Sequence, residues 1–163
     1  MMSGALRRLS LWFGLLGAGV ALLTGFMTFV SVVLRAVFQW PIPGDVELTQ
    51  MGIALAISLC LPWCQSERAH ILVDFFTQRS RESTVRRLDA IGSLALALMY
   101  ALLAWRTSAG ALAVREAGET TMIISLPVWW VYAALAPGLA LSALLAGMQA
   151  LQLGRQAPAG DAA

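Results

Sequence analysis

Residues 9–34 read LSLWFGLLGAGVALLTGFMTFVSVVL and include no charged side chain. A transmembrane helix needs about 20 consecutive, mostly apolar residues to cross the hydrocarbon core of a bilayer, so this run is long enough by itself. Arg7 and Arg8 precede it, as basic residues precede a secretory signal peptide. The apolar part of a signal peptide is, however, only about 7–15 residues long. The run therefore predicts a membrane-spanning helix that the mature protein retains.

Three further runs without charge follow, at residues 48–65, 90–105 and 120–154. The last is long enough to span, and the other two become so when long flanking side chains reach the interface. Only 12% of the 163 residues are charged, whereas soluble domains have about 25%. We therefore predict an all-α integral membrane protein with a single four-helix transmembrane domain at 1–155 and a disordered cytoplasmic tail at 156–163. The predicted spans lie at about 10–38, 44–65, 84–116 and 126–153.

The basic residues are all arginines, and they are distributed unevenly between the two sides of the membrane. Eight lie at the N-terminus, in the segment between the second and third runs, and in the C-terminal tail: Arg7, Arg8, Arg68, Arg79, Arg81, Arg86, Arg87 and Arg155. Only Arg35, Arg106 and Arg115 lie on the other side, among acids. Because cytoplasmic loops carry the excess of basic residues, both termini and the middle segment are predicted to be cytoplasmic. All six tryptophans lie close to the ends of the runs, as expected for residues that prefer the headgroup level.

The turns carry residues that set helix ends. In WPIPGDVEL, residues 40–48, the two prolines rigidify the chain, and Asp45 and Glu47 fall in the first turn of the second helix. The helix dipole favours acids at that position. Gly118 is predicted to end the third helix, and Pro127 is predicted to lie in the first turn of the fourth.

Two patterns predict contacts between helices. An arginine near lipid needs an acidic or headgroup partner, so Arg35 is expected to pair with Asp45, with Glu47 or with an acid of another subunit. Small residues that recur four apart allow membrane helices to approach closely, within this chain or against a partner. They are Gly17, Ala21 and Gly25 in the first helix, and Gly138, Ser142 and Ala146 in the fourth.

The stretch ERAHILVDFF, residues 67–76, holds His70, the single histidine of the chain, together with Asp74. Its apolar residues share one helical face, which predicts a short amphipathic segment in the cytoplasmic interface between helices two and three. A simple loop is the alternative. His70 is interpreted as a hydrogen-bonded anchor in preference to a proton relay, because no other titratable group is expected within the membrane.

The composition also excludes several classes of chemistry. No ionisable residue falls in the middle of a predicted span, so an ion or proton pathway built from this chain alone has no groups to use. One histidine cannot supply both axial ligands of a bis-histidine haem. Cys60 and Cys64 share a helix face, but no further ligands complete a metal site, so they are predicted to pack. We expect no catalytic residue, no cofactor, no substrate-binding site and no nucleic-acid partner.

Three motifs occur in order along the chain: LRAVFQWPIPGDVEL at 34–48, ERAHILVDFF at 67–76 and ETTMIISLPVWWVY at 119–132. On these motifs the chain resembles the small membrane subunit, the DctQ-like or Q subunit, of the tripartite ATP-independent periplasmic (TRAP) transporters. The likeness extends over about residues 9–153. The residues that it suggests for structural or interface roles are Arg35, Asp45, Glu47, Arg68, His70, Asp74, Thr121, Pro127 and Trp129.

The resemblance implies a multi-pass protein of the bacterial inner membrane. It implies a non-catalytic scaffold of a sodium-driven uptake transporter for organic anions such as C4-dicarboxylates, sialic acid or other sugar acids. The expected partners are the bilayer, a large elevator-type membrane subunit that holds substrate and sodium, and a periplasmic substrate-binding protein. Two alternatives stay open: a membrane anchor of a redox enzyme, for which the chain offers one histidine as ligand, and a self-sufficient small transporter, which conflicts with the uncharged spans.

Overall fold

A computed structural model describes residues 4–40, 42–67 and 82–156, with the backbone alone at 82–87 and 154–156. This part of the chain forms four long helices: α1 Gly4–Phe38, α2 Asp45–Ser66, α3 Glu82–Ala117 and α4 Trp129–Gln156. All four are long and apolar enough to cross a membrane, which confirms the predicted fold class. The predicted interfacial segment and the residues of the tail beyond 156 lie outside the described residues.

The helix ends follow the turn chemistry in the sequence. Gly44 precedes α2 with a φ of 74°, and Asp45 and Glu47 lie in the first turn of that helix. Gly118 follows α3 with a φ of 65°. Its N–H donates to the carbonyl of Arg115 (3.2 Å), and the next N–H donates to the carbonyl of Val114 (3.2 Å). These two bonds form a Schellman cap, in which a glycine in the left-handed conformation satisfies the last carbonyls of the helix.

The prediction for Pro127 is wrong, because α4 begins at Trp129. Pro127 instead pairs with Thr120 in an isolated antiparallel β-bridge across the α3–α4 loop. The N–H of Val128 donates to the carbonyl of Glu119 (3.2 Å). That bond and the bridge hold the residues next to the proline against the start of the loop, and the first helical turn starts only after them. Helix α1 begins at Gly4, six residues before the start of the membrane span predicted at about residue 10.

The helices pack in the spatial order α1, α2, α4, α3. Extensive contacts join α1 with α2, α2 with α4, and α4 with α3. Arg7 near the start of α1 pairs with Glu67 just after α2, and Gln65 of α2 bonds to Gln149 of α4. The chain therefore enters α1 and leaves α4 at the same end of the row, as an even number of spans requires.

Close helix approach depends on particular glycines. A Cβ at Gly17 of α1 would lie 2.7 Å from Cys60 Sγ and 2.9 Å from the carbonyl oxygen of Ala56. Of the small-residue face predicted for α1, only Gly17 packs inside the chain, because the space around Gly25 is open. The face predicted for α4, which comprises Gly138, Ser142 and Ala146, is buried throughout.

Candidate docking site formed by the two interhelical loops

Asp45 connects α1 to α2 at the end where the α1–α2 loop lies. Its Oδ2 accepts a hydrogen bond from Ser31 Oγ (2.6 Å) and lies 3.1 Å from Arg35 Nη2. Its Oδ1 accepts from the N–H of Val46 (2.8 Å). Ser31 is almost fully buried between the helices. Because Ser31 and Arg35 lie one turn apart on α1, both reach the same carboxylate. The sequence left several acidic partners open for Arg35, and in the structure Arg35 pairs with Asp45.

Glu47 connects this hairpin to the other loop. Its Oε1 accepts a hydrogen bond from the N–H of Ile123 (3.1 Å), which lies in the α3–α4 loop. Its Oε2 is buried and has no hydrogen-bond partner among the described residues. One carboxylate at the start of α2 therefore holds two loops that are far apart in sequence against each other.

Gly44 makes that contact possible in two ways. Its φ of 74° is a left-handed conformation that side chains rarely adopt. A Cβ there would also overlap the side chain of Ile124. The α3–α4 loop thus lies directly on the turn that precedes α2, and any larger residue at position 44 would push it away.

The α3–α4 loop is closed by its own hydrogen bonds around Thr121. The N–H of Thr121 donates to the carbonyl of Leu126 (2.9 Å), and Thr121 Oγ1 accepts from the N–H of Leu126 (3.1 Å). The tip that this arrangement presents is apolar, since Met122 is 98% exposed and Ile123 is 61% exposed. A rigid loop with an apolar tip suits protein contact better than a solvated linker would.

Aromatic contacts support the base of this loop. The Arg115 guanidinium lies 5.2 Å from the ring centroid of Trp129, within the range of a cation–π interaction. The rings of Trp129 and Trp130 are 4.9 Å apart and tilted by 35°. These contacts join the last turn of α3 to the first turn of α4.

The structure brings six of the predicted residues to this end: Arg35, Asp45, Glu47, Thr121, Pro127 and Trp129. We call them, together with Gly44 and residues 122–126, the loop cluster. The other three, Arg68, His70 and Asp74, lie outside the described residues. The sequence prediction missed Ser31, which its spacing from Arg35 could have revealed. It also missed Ile123, for which the sequence carries no signal.

The opposite end of the helices is fixed by amide and ionic contacts. Gln65 Nε2 donates to Gln149 Oε1 (2.8 Å), and Gln149 Nε2 donates to the carbonyl oxygen of Gln65 (2.7 Å). Both residues are buried. The Arg7–Glu67 pair beside them has a separation of 3.3 Å and is open to solvent. Among the described residues the two ends therefore differ, since this end is joined by amide and ionic contacts and the loop cluster presents the exposed side chains of Met122 and Ile123.

The family model described as "Tripartite ATP-independent periplasmic transporters, DctQ component" matches residues 25–156. No curated protein and no solved structure gives a significant match. The matched region contains every residue of the loop cluster and all of α2 and α3.

Proposed function

The chain belongs to the DctQ component family of the tripartite ATP-independent periplasmic transporters, and on that basis we propose that it is the non-catalytic scaffold subunit of a sodium-driven importer of organic anions. Members of this family are multi-pass subunits of the inner membrane, and they work with a large membrane subunit and a periplasmic binding protein. Membership favours transport over the redox-anchor alternative that the sequence left open.

In this proposal the large subunit carries sodium and the substrate by an elevator motion, and this chain holds it in the bilayer. The substrate class is that of C4-dicarboxylates, sialic acid or other sugar acids. This chain binds no cofactor and performs no chemical step. Support comes from the charges, because the described acids lie near helix ends or in loops, where they cannot form a sodium site at mid-membrane depth.

The loop cluster is the proposed docking surface for the periplasmic binding protein. The observation that carries this assignment is the Glu47–Ile123 hydrogen bond, which makes one surface of two loops. A binding protein that must dock, deliver its ligand and leave needs a fixed platform, because ordering a mobile loop at each encounter costs affinity. The exposed apolar tip at Met122 and Ile123 supplies contact area.

Reconstitution into liposomes tests this function. The chain alone should transport nothing. The large subunit with the binding protein should take up substrate along a sodium gradient only when this chain is present. Substrate flux through the chain by itself, or full uptake in its absence, would overturn the scaffold assignment.

A second measurement isolates the docking surface. Glu47→Ala and Met122→Asp should both weaken binding-protein docking and raise the binding-protein concentration needed for half-maximal uptake. Arg8→Met at the opposite end of the molecule is the matched control. Equal docking by all three variants would show that the binding protein uses another surface.

A further inference from the structure

The contacts between helices place Arg106 far from both ends of the bundle, measured along the helix axes. In the antiparallel pair of α3 and α4, a Cβ at Gly110 would lie 3.6 Å from the ring of Tyr132, and one at Gly147 would lie 4.0 Å from the Cβ of Ala97. Counting along both helices from these two contacts puts Arg106 level with residues 136–138 of α4.

Contacts between α4 and α2 show which residue of α2 lies at the level of Arg106. Ser58 Oγ donates to the carbonyl oxygen of Leu135 (2.7 Å), and Gly138 packs directly on the backbone of Ser58. Ser58 lies thirteen residues after Asp45 and nine before Glu67. At a rise of 1.5 Å per residue, these are about 20 Å and about 14 Å along the helix axis.

Those two acids mark the ends of the uncharged part of the α1–α2 hairpin. Asp45 pairs with Arg35 at one end, and Glu67 pairs with Arg7 at the other. Between these pairs the only charged residues in the described parts of both helices are Glu47 and Arg8, which directly adjoin the two ends. The length of α2, about 33 Å, fits the hydrocarbon core of about 30 Å. Arg106 therefore lies at the depth of the hydrocarbon. This level sets Arg106 apart from the expectation that no ionisable residue lies in the middle of a span.

Arg106 is exposed, and it makes no hydrogen bond or ion pair with the described residues. A cation at this depth is costly unless an anion compensates it. Arginines near helix ends extend to the headgroups, but the level of Arg106 is eight or more residues from both ends of α2. The side chain needs a carboxylate at its own depth.

A second copy of this chain cannot provide that carboxylate. Its described acids lie near helix ends or in loops, and the other two, Asp74 and Asp161, belong to parts of the sequence outside the four helices. We propose that Arg106 pairs with an acidic side chain on a membrane helix of the large subunit, so that the outer face of α3 is the face that binds this subunit. This inference rests on the proposed function.

The surroundings of Arg106 suit a neighbouring helix. Leu102, one turn before it, is 58% exposed. Ala109 and Ala113, one and two turns after it, are exposed and small, so another helix can approach closely there. Arginine binds carboxylates through two parallel N–H donors, which also fixes the orientation of the partner.

The test compares Arg106→Met and Arg106→Lys with the control Arg8→Met, which removes an exposed arginine at the end of α1. Binding to the large subunit is measured in lipid nanodiscs. Arg106→Met should weaken it roughly 30-fold or more, because the partner carboxylate is left unpaired. Arg106→Lys should weaken it less, since the charge stays and only the forked geometry is lost. Arg8→Met should bind as the unmodified chain does.

Thermal unfolding of the chain alone separates this pairing from a folding role. Methionine is far more favourable than arginine in hydrocarbon, so Arg106→Met alone should be as stable as the unmodified chain or more so. Wild-type binding by Arg106→Met would show that the arginine reaches headgroup phosphates and would overturn the pairing. Failure of the unmodified chain to bind the large subunit would instead overturn the proposed function.

A photo-crosslinking amino acid at Leu102 gives an independent readout. It should capture the large subunit, and the captured segment should contain an aspartate or glutamate within a membrane helix. Capture of lipid only, with the complex assembled, would place α3 away from the large subunit and contradict the assignment.

Discussion

Replacing Gly138 with alanine tests how closely α2 and α4 pack. A Cβ at position 138 would overlap the carbonyl oxygen of Ser58 and would lie 2.7 Å from Ser58 Oγ and 2.9 Å from the Ser58 carbonyl carbon. Two of these three atoms belong to the backbone, so no change of rotamer relieves the contact. The alanine variant must therefore move α4 away from α2.

The cost of that movement can be worked out from its parts. Overpacking a well-packed site costs about 1–3 kcal/mol. The movement also weakens the bond from Ser58 Oγ to the Leu135 carbonyl, which is 2.7 Å long, and such bonds in membrane proteins average about 0.6 kcal/mol. The better helix propensity of alanine returns up to about 1 kcal/mol. The free energy of unfolding should therefore fall by about 1–3 kcal/mol.

Gly25→Ala is the matched control, because Gly25 also lies inside a helix and has nothing within 4 Å of its would-be Cβ. Unfolding is measured by far-ultraviolet circular dichroism while dodecyl sulfate is titrated into mild detergent micelles. Gly138→Ala should unfold at a lower dodecyl sulfate fraction than the unmodified chain, and Gly25→Ala at the same fraction or a higher one. Equal unfolding by the two variants would refute the close contact between α2 and α4.

Three further predictions address the two ends of the row. Glu47→Ala removes the acceptor for the Ile123 N–H and should speed protease cleavage of the α3–α4 loop. Glu47→Gln keeps a carbonyl acceptor and should be cleaved as slowly as the unmodified chain. Equal cleavage rates for the alanine and glutamine variants would contradict the role of this bond. Gln149→Leu removes both hydrogen bonds to Gln65 and should lower the free energy of unfolding by about 1–2 kcal/mol, while Gln152→Leu, on a partly exposed neighbour, should not. The orientation is tested in a variant without Cys60 and Cys64. A cysteine that replaces Met122 should react with a membrane-impermeant maleimide added to whole cells, and a cysteine that replaces Arg8 should not. Labelling at position 8 alone would reverse the predicted orientation.

The four helices could be predicted because charge is distributed so unevenly along the chain. The absence of charge at residues 9–34 is enough to predict α1, and Gly118 is enough to predict the end of α3. The Arg35–Asp45 pair was within reach as well, because the two residues flank one short turn. Each of these features depends on residues that are close in sequence.

The hydrogen bond between Glu47 and Ile123, which joins the two loops, could not be predicted in the same way. Glu47 and Ile123 are 76 residues apart, and the donor is a backbone N–H, which every residue except proline has. The start of α4 was predicted wrongly for a related reason. Proline favours the first turn of a helix, but Pro127 faces Thr120 across the loop, and that pairing prevails over the local preference.

Arg106 shows how the depth of a residue depends on neighbouring helices. Along α3 it directly follows the uncharged run 90–105, which suggests a position at the end of a span. The offset between α3 and its neighbours is instead set by contacts at Gly110, Gly147 and Gly138, and these bring the C-terminal half of α3 level with the middle of α2. The hydropathy of a single helix does not show how far that helix is shifted along its axis relative to its neighbours. The proposed pairing of Arg106 with an acid of the large subunit rests on this offset, because the hydropathy of α3 alone would place the arginine at the edge of a span.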